Sequence, residues 1–454
     1  MLMKVDRFQD MNQTIKGVRR EFTTFVACGR GIAESAWVTD LLQSKLSGTP
    51  VRAYFLAKTA EWLWPLASRT QRLRRPAQEW QKLLYAQLPF VFETIITIQY
   101  LHNQILDGKS GVTSRERIAQ NLLAANLLKE QLYSYLEGEI PAWAQPTVTA
   151  TVRKVFVQVD QGQYLEQTYN TYDAFLKGAS DLPANLLSQH DLAGLAAFTA
   201  KLERDLPPML HGQLAIYFSR IYLTCASLFV EASRLLGTLL GVPSRSLNSV
   251  LQFSCCYGIM RQLVNDNADW VPSSFGLATK TKVSADTFSD LRNSTLTLPV
   301  IFFLAENKSS LLQQLLNKQM RWLPEFEGAI FQEILASNAL FKSIQNTRII
   351  TELALAYLPK REPAAAFLAD TCNIAEWNKF LAPCLRNPAY AAYRRTPYHQ
   401  HTRQLIHQLR EQRQEKPAPA GGVLAHFFTL PERRSELAAV ARLEAILWET
   451  PALA

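Results

Sequence analysis

Apolar residues recur three and four positions apart through most of this chain, which is the spacing of one face of an α-helix. Leu, Ala and Gln dominate, whereas the alternating Val/Ile runs typical of strands are scarce. Glycines and prolines mark loops between the apolar segments. The pattern predicts an all-α fold, with long helices over about residues 77–107, 114–137, 147–177, 211–241 and 246–270.

The chain divides by composition into a long helical part and a C-terminal extension. Residues 1–380 are expected to form one helical domain. Residues 381–422 are predicted to be a basic, partly flexible linker, because basic residues outnumber acidic ones and EKPAPAGG has a linker composition. Residues 423–454 are expected to carry an amphipathic helix at 431–448, which either docks on a partner or packs on its own domain.

An oxygen-rich stripe interrupts the apolar pattern of the helix predicted at 246–270. Gln262, Asn265, Asp266 and Asp269 are three or four residues apart and therefore share one face. Side-chain oxygens of this kind suit hard cations such as Mg²⁺. Burying such carboxylates is unfavourable unless a positive charge pairs with them, so we interpret the stripe as a metal site.

Charge and cysteine usage narrow the class of protein. Lys and Arg number 48 against 39 Asp and Glu, a net charge of +9, but no nucleic-acid-reading motif accompanies it. A basic balance suits an anionic substrate such as a diphosphate equally well. Cys255 and Cys256 are predicted to be buried thiols, and the absence of a secretory signal or a membrane span predicts a cytoplasmic protein. His399 and His401 are interpreted as part of an exposed polar turn.

The stripe and the segment after it resemble a known family. Gln262 to Asp269 is similar to the second aspartate-rich motif of the trans-isoprenyl diphosphate synthases, a Gln followed after two residues by Asp-Asp-x-x-Asp. The segment from Asp290 to Pro299 resembles that family's Asp-Leu-Arg-x-Gly-Lys-x-Thr-Leu-Pro. The resemblance implies an isoprenoid-synthase-like helical bundle around a central cavity. It also implies Mg²⁺-assisted ionisation of a prenyl diphosphate substrate, in a homodimer or a heteromer with another prenyl synthase subunit.

The first aspartate-rich motif of that family is damaged here. Its Asp-Asp-x-x-Asp corresponds to Asn103, Gln104 and then Asp107, so two carboxylates have become neutral amides. The resemblance assigns catalytic roles to Asp107 and Asp266. The residues expected to hold the metal ions are Asn103, Asp107, Asn265, Asp266 and Asp269.

Several of the family's diphosphate-binding cations are missing as well. Thr224 stands where the central helix of the family carries the Lys of Lys-Thr-x-x-Leu, and Thr295 stands at the Lys of Gly-Lys-x-Thr-Leu-Pro. Gln163, within GQYLE, is either a pocket residue or an exposed polar residue of a helix, and the RLRRP run is either a substrate site or a solvated helix end. The residues expected to bind substrate are Gln262, Gln163, Lys280, Lys282, Arg115, Arg117, Arg72 and Arg75.

Two hypotheses for the function remain open from the sequence. In the first, the chain is a diverged prenyltransferase or terpene-synthase-like enzyme that ionises a prenyl diphosphate for elongation, cyclisation or transfer. In the second, it is a catalytically inactive subunit that modulates a partner prenyl diphosphate synthase, as some subunits of heteromeric synthases do. The persistence of Gln262, Asp266, Asp269 and the DLR…TLP segment favours the enzyme.

Overall fold

The computed structural model describes most of the chain. The described residues are 11–28, 38–40, 43, 50–107, 114–177, 193–270, 288–306, 310–317, 323, 325–357 and 388–414. The predicted helix at 431–448 therefore lies outside the described residues, and the predicted domain borders stay a prediction.

Helices account for nearly all of the described residues. The first half contains α1 (Met11–Cys28), α2 (Val51–Leu63), α3 (Arg69–Leu73), α4 (Ala77–Lys82), a π-helical turn (Leu83–Gln87), α5 (Leu88–Leu106), α6 (Arg115–Glu139), α7 (Gln145–Thr168), α8 (Tyr172–Leu176) and α9 (Ala193–Arg204). The second half contains α10 (His211–Ile221), a second π-helical turn (Tyr222–Ala226), α11 (Ser227–Leu240), α12 (Ser244–Asp269), α13 (Ser289–Arg292), α14 (Leu298–Glu306), α15 (Ser310–Leu316), α16 (Phe326–Ser337), α17 (Ala339–Tyr357), α18 (Pro388–Tyr393) and α19 (Pro397–Gln414).

The all-α prediction is confirmed. No β-strand occurs in the part of the chain that the structure describes, where pairing of the strand type is limited to an isolated antiparallel bridge between Thr171 and Thr295. The stretch Pro208–Leu240 is long and apolar enough to cross a membrane, but 78% of its most apolar window is buried, as in the core helix of a soluble protein. The prediction of buried thiols is also confirmed, because Cys255 and Cys256 are buried and free.

The chain forms two compact units, each described here by itself. Unit 1 comprises Met1–Gln161 and Ala226–Ser254, and unit 2 comprises Gly162–Cys225 and Cys255–Ala454.

Aromatic rings fill the core of unit 1. Phe55 meets Phe229 edge-to-face with ring centroids 4.8 Å apart, and it stacks on Phe253 at 6.3 Å. Phe90 lies 5.3 Å from Phe25 and 5.2 Å from Tyr135, again edge-to-face. Edge-to-face contacts add about 0.5–1.5 kcal/mol per pair beyond the burial of area, so these rings fix how α1, α2, α5 and α6 pack.

A buried carboxylate joins two helices of unit 1. Glu93 of α5 accepts hydrogen bonds at Oε1 from the backbone N–H groups of Arg52 (2.7 Å) and Ala53 (2.9 Å) in the first turn of α2. The first N–H groups of a helix lack partners within the helix and carry partial positive charge. Glu93 satisfies two of them and is itself stabilised as an anion by the helix end.

Helix α17 packs against α14, α16 and α19 in unit 2. Asn267 of α12 is fully buried and bonds to this helix twice. Its Nδ2 donates to Thr347 Oγ1 at 3.0 Å, and its Oδ1 accepts from Ser343 Oγ at 2.6 Å. These two hydrogen bonds fix the rotation of α12 about its axis and therefore the direction of the side chains on the neighbouring turns.

The residues from 388 to 414, which the composition placed in a linker, form α18 and α19. His399 is buried here, so the interpretation of an exposed turn is wrong for this residue. Its ring contacts Tyr393 at 5.3 Å, and its Nδ1 lies 2.5 Å from Gln345 Nε2. Burial, with smaller contributions from Arg394 and Arg403, lowers the pKa of His399 to about 4, so the ring is neutral at pH 7 and accepts this bond. His401 is exposed.

Gly162 allows a close helix contact within unit 2. A Cβ at this position would lie 2.7 Å from Thr224 Cγ2 and 2.9 Å from the backbone N of Thr224, in the π-helical turn Tyr222–Ala226. Only a residue without a side chain lets α7 approach this turn so closely. The glycine of GQYLE therefore has a packing role.

We expect Gly162→Ala to destabilise the protein by about 2 kcal/mol, because backbone atoms of the π-helical turn cannot yield to the added methyl group. Gly212→Ala is the matched control, since this helical glycine has no neighbour within 4 Å of a built Cβ. It should stabilise by up to about 1 kcal/mol through helix propensity. Urea unfolding measures both, and a neutral Gly162→Ala variant would contradict the proposed contact.

Candidate functional site

A hydrogen-bonded chain of side chains surrounds Asp266 in unit 2. Asp266 is 1% exposed and accepts at Oδ1 from Gln262 Nε2 at 2.6 Å, one turn earlier on α12. At Oδ2 it accepts from Tyr217 O–H of α10, also at 2.6 Å. Gln262 Oε1 in turn accepts from Cys225 Sγ at 3.0 Å. Both oxygens of Asp266 are thus bonded to protein donors.

A buried arginine carries the positive charge of this cluster. Arg220 of α10 is 3% exposed, and its Nη1 donates to Glu166 Oε1 at 2.9 Å. Its Nη2 lies 3.6 Å from Asp266 Oδ2, and the guanidinium lies over the Tyr217 ring at 5.2 Å. The cluster therefore joins the end of α7, α10 and α12 through charge as well as hydrogen bonds.

Asp269 ends α12 and holds the segment that follows in the structure. Its Oδ1 accepts from Ser289 Oγ at 3.1 Å, and its Oδ2 accepts from the backbone N–H of Asp290 at 3.0 Å. Its carbonyl oxygen accepts from the N–H of Phe288 at 2.9 Å. Asp269 is fully buried, so these protein bonds replace the hydration of the carboxylate.

The pKa of Asp266 reflects burial opposed by its partners. The pKa of Asp266 is raised to about 6, because burial, the largest cause, and the nearby Asp290 carboxylate raise it more than the Arg220 guanidinium lowers it. Burial raises the pKa of Tyr217 well above its usual value, so the phenol stays protonated and donates. At pH 7 the cluster thus holds an ionised Asp266 beside a charged Arg220.

The first-motif residues lie at the end of α5 in unit 1. Asn103 is exposed, and Asp107 follows the last residue of the helix, with its N–H donating to Asn103 O at 2.9 Å. Gln104 makes structural bonds, since its Nε2 donates to Tyr100 O–H at 2.7 Å and its Oε1 accepts from the buried Asn121 at 3.1 Å. The amide at position 104 is therefore used to join α5 to α6.

No protein-family model and no curated protein sequence matches this chain. Solved structures do match. The polyprenyl synthase from Caulobacter crescentus, complexed with calcium and isoprenyl diphosphate, is 17% identical, with a TM-score of 0.54 over 81% of this chain and 98% of that chain. The heptaprenyl diphosphate synthase from Staphylococcus aureus is 16% identical, with a TM-score of 0.54 over 81% of this chain and 98% of that chain. A decaprenyl diphosphate synthase from Rhodobacter capsulatus is 15% identical, with a TM-score of 0.54 over 81% of this chain and 96% of that chain.

The chain has the fold of the prenyl diphosphate synthases. At these identities the likeness establishes the fold alone, and it confirms the fold family that the motif resemblance implied. Activity has to be argued from the side chains.

The residues present do not fit the magnesium cluster expected for a prenyl synthase. Asp266 and Asp269 are buried, and each of their four carboxylate oxygens accepts a hydrogen bond from a protein group. Asn265 is the exposed member of the stripe and carries no charge. Among the described residues, no group of three or more His, Cys, Asp or Glu side chains is arranged to hold a metal ion.

The predicted cations of the prenyl-synthase motifs are mostly solvent-facing. Arg115 and Arg117 are exposed in the first turn of α6, and Arg75 is exposed with its guanidinium over the Trp143 ring at 5.3 Å. Arg72 is half-buried, in the short helix α3. The positions Lys280 and Lys282 lie outside the described residues. The substrate-binding roles of all these residues stay predictions.

The structure differs from the sequence analysis at Gln163 and at Arg220. Gln163 is buried, so its alternative interpretation as an exposed helix residue is wrong. Arg220, Tyr217 and Glu166 were not predicted as site residues. Arg220 had a readable signal, because a lone arginine inside the apolar run IYFSRIYL has to find a buried anion.

Asp266 should make stability depend on pH between about 4 and 7. Its folded-state pKa of about 6 lies above the unfolded value of about 3.9, so its contribution is greatest below pH 4 and is lost as pH rises through 6. Asp266→Asn removes this titration. The unfolding free energy of the wild type minus that of the variant should fall by about 2–3 kcal/mol across this range in urea titrations. A constant difference would contradict the raised pKa.

Proposed function

We propose that this chain is a non-catalytic subunit with a prenyl-synthase fold that modulates a catalytic prenyl diphosphate synthase. The observation that carries the proposal is the engagement of Asp266 and Asp269, whose oxygens bond to Gln262, Tyr217, Ser289 and the Asp290 amide. Metal-assisted ionisation of a diphosphate requires carboxylates that can ligate metal ions. Here the carboxylates that remain from the family's motif hold unit 2 together.

Packing alone explains why the DLR…TLP segment persists. The N–H of Leu296 donates to Asn170 O and the N–H of Tyr172 donates to Ser294 O, each at 2.9 Å. Asp269 bonds to the start of the same segment. The persistence that favoured an enzyme is thus equally expected of a subunit that has kept only the fold.

The remaining motif positions agree with the loss of catalysis. Gln104 joins α5 to α6 through Tyr100 and Asn121. Thr224, at the position of the family's lysine, donates its hydroxyl to the carbonyl of Arg220 at 3.0 Å. Both positions have become neutral structural residues, so charge has been lost where a diphosphate would need it.

An exposed apolar strip on α6 supports a partner role. Ile118, Leu122 and Leu123 are 36%, 47% and 67% exposed on neighbouring turns of unit 1. Clustered exposed apolar side chains commonly mark protein–protein contact sites. We infer that this strip contacts the catalytic subunit, whose fold would be the same. The solved neighbours favour a soluble protein, and its cytoplasmic location and oligomeric state are part of this proposal.

The competing function is a Mg²⁺-dependent enzyme that ionises its own prenyl diphosphate through Asp107 and Asp266. It would require the protein donors on Asp266 and Asp269 to give way to metal ions. We expect farnesyl diphosphate with Mg²⁺ to yield no more free diphosphate than protein-free buffer, in wild type and Asp266→Asn alike. Diphosphate release that depends on Mg²⁺ and disappears in Asp107→Asn and Asp266→Asn would overturn the proposal.

The partner role is tested by mixing the chain with the catalytic prenyl diphosphate synthases of its own organism. We expect a stable complex by native mass spectrometry and a shift in the chain length of the products. Leu123→Asp should weaken the complex by about tenfold or more, since it buries a charge at the contact.

Leu176→Asp is the matched control, because Leu176 is 57% exposed and belongs to unit 2, whereas the strip on α6 belongs to unit 1. Equal loss in both variants, or none in either, would remove the strip from the contact. If no synthase forms a complex or changes its products, the subunit proposal is wrong.

A further inference from the structure

Arg220 occupies an unusual electrostatic position in unit 2. It is a buried cation within reach of two carboxylates, one of which belongs to the motif that normally identifies a metal site. We propose that the Arg220 guanidinium is a built-in cation, which supplies to Asp266 and Glu166 the positive charge that a divalent metal would otherwise provide. The arginine repels a divalent cation, which would otherwise have to displace only the neutral donors Gln262 and Tyr217 from the oxygens of Asp266.

Two of the three guanidinium nitrogens of Arg220 donate hydrogen bonds, and the third, Nη2, has an ion-pair contact without a hydrogen bond. Nη1 donates to Glu166 at 2.9 Å and Nη2 lies 3.6 Å from Asp266. When the Asn170 amide is oriented with its oxygen toward Arg220, it accepts from Nε at 3.3 Å and donates to Leu296 O at 3.1 Å. A planar guanidinium fork can serve several acceptors at once, which a lysine cannot do in the same geometry. Oxygens of Glu166, Asn170 and Asp266 thus surround the guanidinium, and the contact with Asp266 is a charge interaction at 3.6 Å.

Charge balance explains why this arrangement is stable. Asp266 is buried, and Glu166 is partly buried with 20% of its side chain exposed. Two such carboxylates around one guanidinium repel each other, so the buried one would otherwise take up a proton. Removing one partner of such a buried group leaves an uncompensated charge, which is strongly destabilising. Glu166 and Asp266 raise the pKa of Arg220 above its usual value despite its burial, so the cation is permanent.

The sequence position of Arg220 also matters. It lies four residues before Thr224, the position at which the family's lysine is absent. A positive charge is thus present one turn earlier, but 3% exposed and turned toward carboxylates of its own unit. Arg220 therefore neutralises the protein's anions and does not stand in for a ligand-binding lysine.

The direct test is to remove the built-in cation and ask whether a metal ion takes its place. Mn²⁺ binding is measured by electron paramagnetic resonance for wild type, Arg220→Gln and Arg348→Gln. Arg348→Gln is the charge-matched control, because Arg348 is a largely buried arginine paired with Glu352 elsewhere in unit 2. We expect Arg220→Gln to bind Mn²⁺ at least about tenfold more tightly than both other proteins, from the removal of a repelling charge.

Two further variants test the proposal if Arg220→Gln does not fold. One is Arg220→Lys, and the other replaces Arg220 and both of its carboxylate partners by neutral residues. Arg220→Lys should fold and gain no Mn²⁺ binding, since it keeps the charge. The triple variant Arg220→Gln, Glu166→Gln, Asp266→Asn should fold without Mn²⁺, because nothing is left to neutralise. If the triple variant also fails to fold, or if wild type and Arg220→Gln bind Mn²⁺ equally, Arg220 is not a substitute for a metal.

This inference deepens the proposed function, on which it rests for the view that the cluster no longer serves catalysis. Its readout is metal binding by the isolated chain and involves neither a partner nor turnover. Failure of the partner experiment would therefore leave the metal result standing. Mn²⁺ binding to wild type as tight as to Arg220→Gln would overturn this inference without deciding on a partner.

Discussion

The neutralisation of buried carboxylates is the constraint on which unit 2 depends. Asp266 and Asp269 are buried at the end of α12, where an unpaired charge would destabilise the fold by several kcal/mol, and the partly buried Glu166 lies near the end of α7. Arg220, Tyr217, Gln262 and the first residues of α13 satisfy them. Metal ions can also neutralise carboxylates of this kind. Here the protein provides the compensation from its own side chains.

The Gln262–Asp269 motif has the sequence of a metal-binding motif, but its side chains have a packing role here. The spacing Gln-x-x-Asn-Asp-x-x-Asp is set by the helix period, and helix packing can preserve it as well as catalysis can. Asp269 illustrates this, because a residue that resembles a metal ligand in sequence serves here as the anchor of a short helix. Gly162 is a second example, since its role in GQYLE is to admit the neighbouring π-helical turn.

Sequence reasoning predicted the architecture well and the site only in part. The long helices followed from apolar periodicity, which depends on local spacing, and observed bounds such as Ser244–Asp269 lie close to the prediction. The π-helical turns have no such signal. The partners of Asp266 could not be predicted from spacing, because Tyr217 is 49 residues away in sequence. The helices α18 and α19 were missed because the basic composition of residues 388–414 hid the few residues that these helices bury, among them Tyr393, His399 and Ile406.

The anchoring by Asp269 has a consequence for how this protein can vary. Its carbonyl and carboxylate bind Phe288, Ser289 and Asp290, so the end of α12 is fixed to the start of α13. The entropy of closing a loop grows only with the logarithm of its length, about 0.6 kcal/mol for each doubling. Insertions or deletions between these ends would thus leave α13 and the charge cluster in place. The number of residues between Trp270 and Phe288 can therefore change without altering the buried ion pairs.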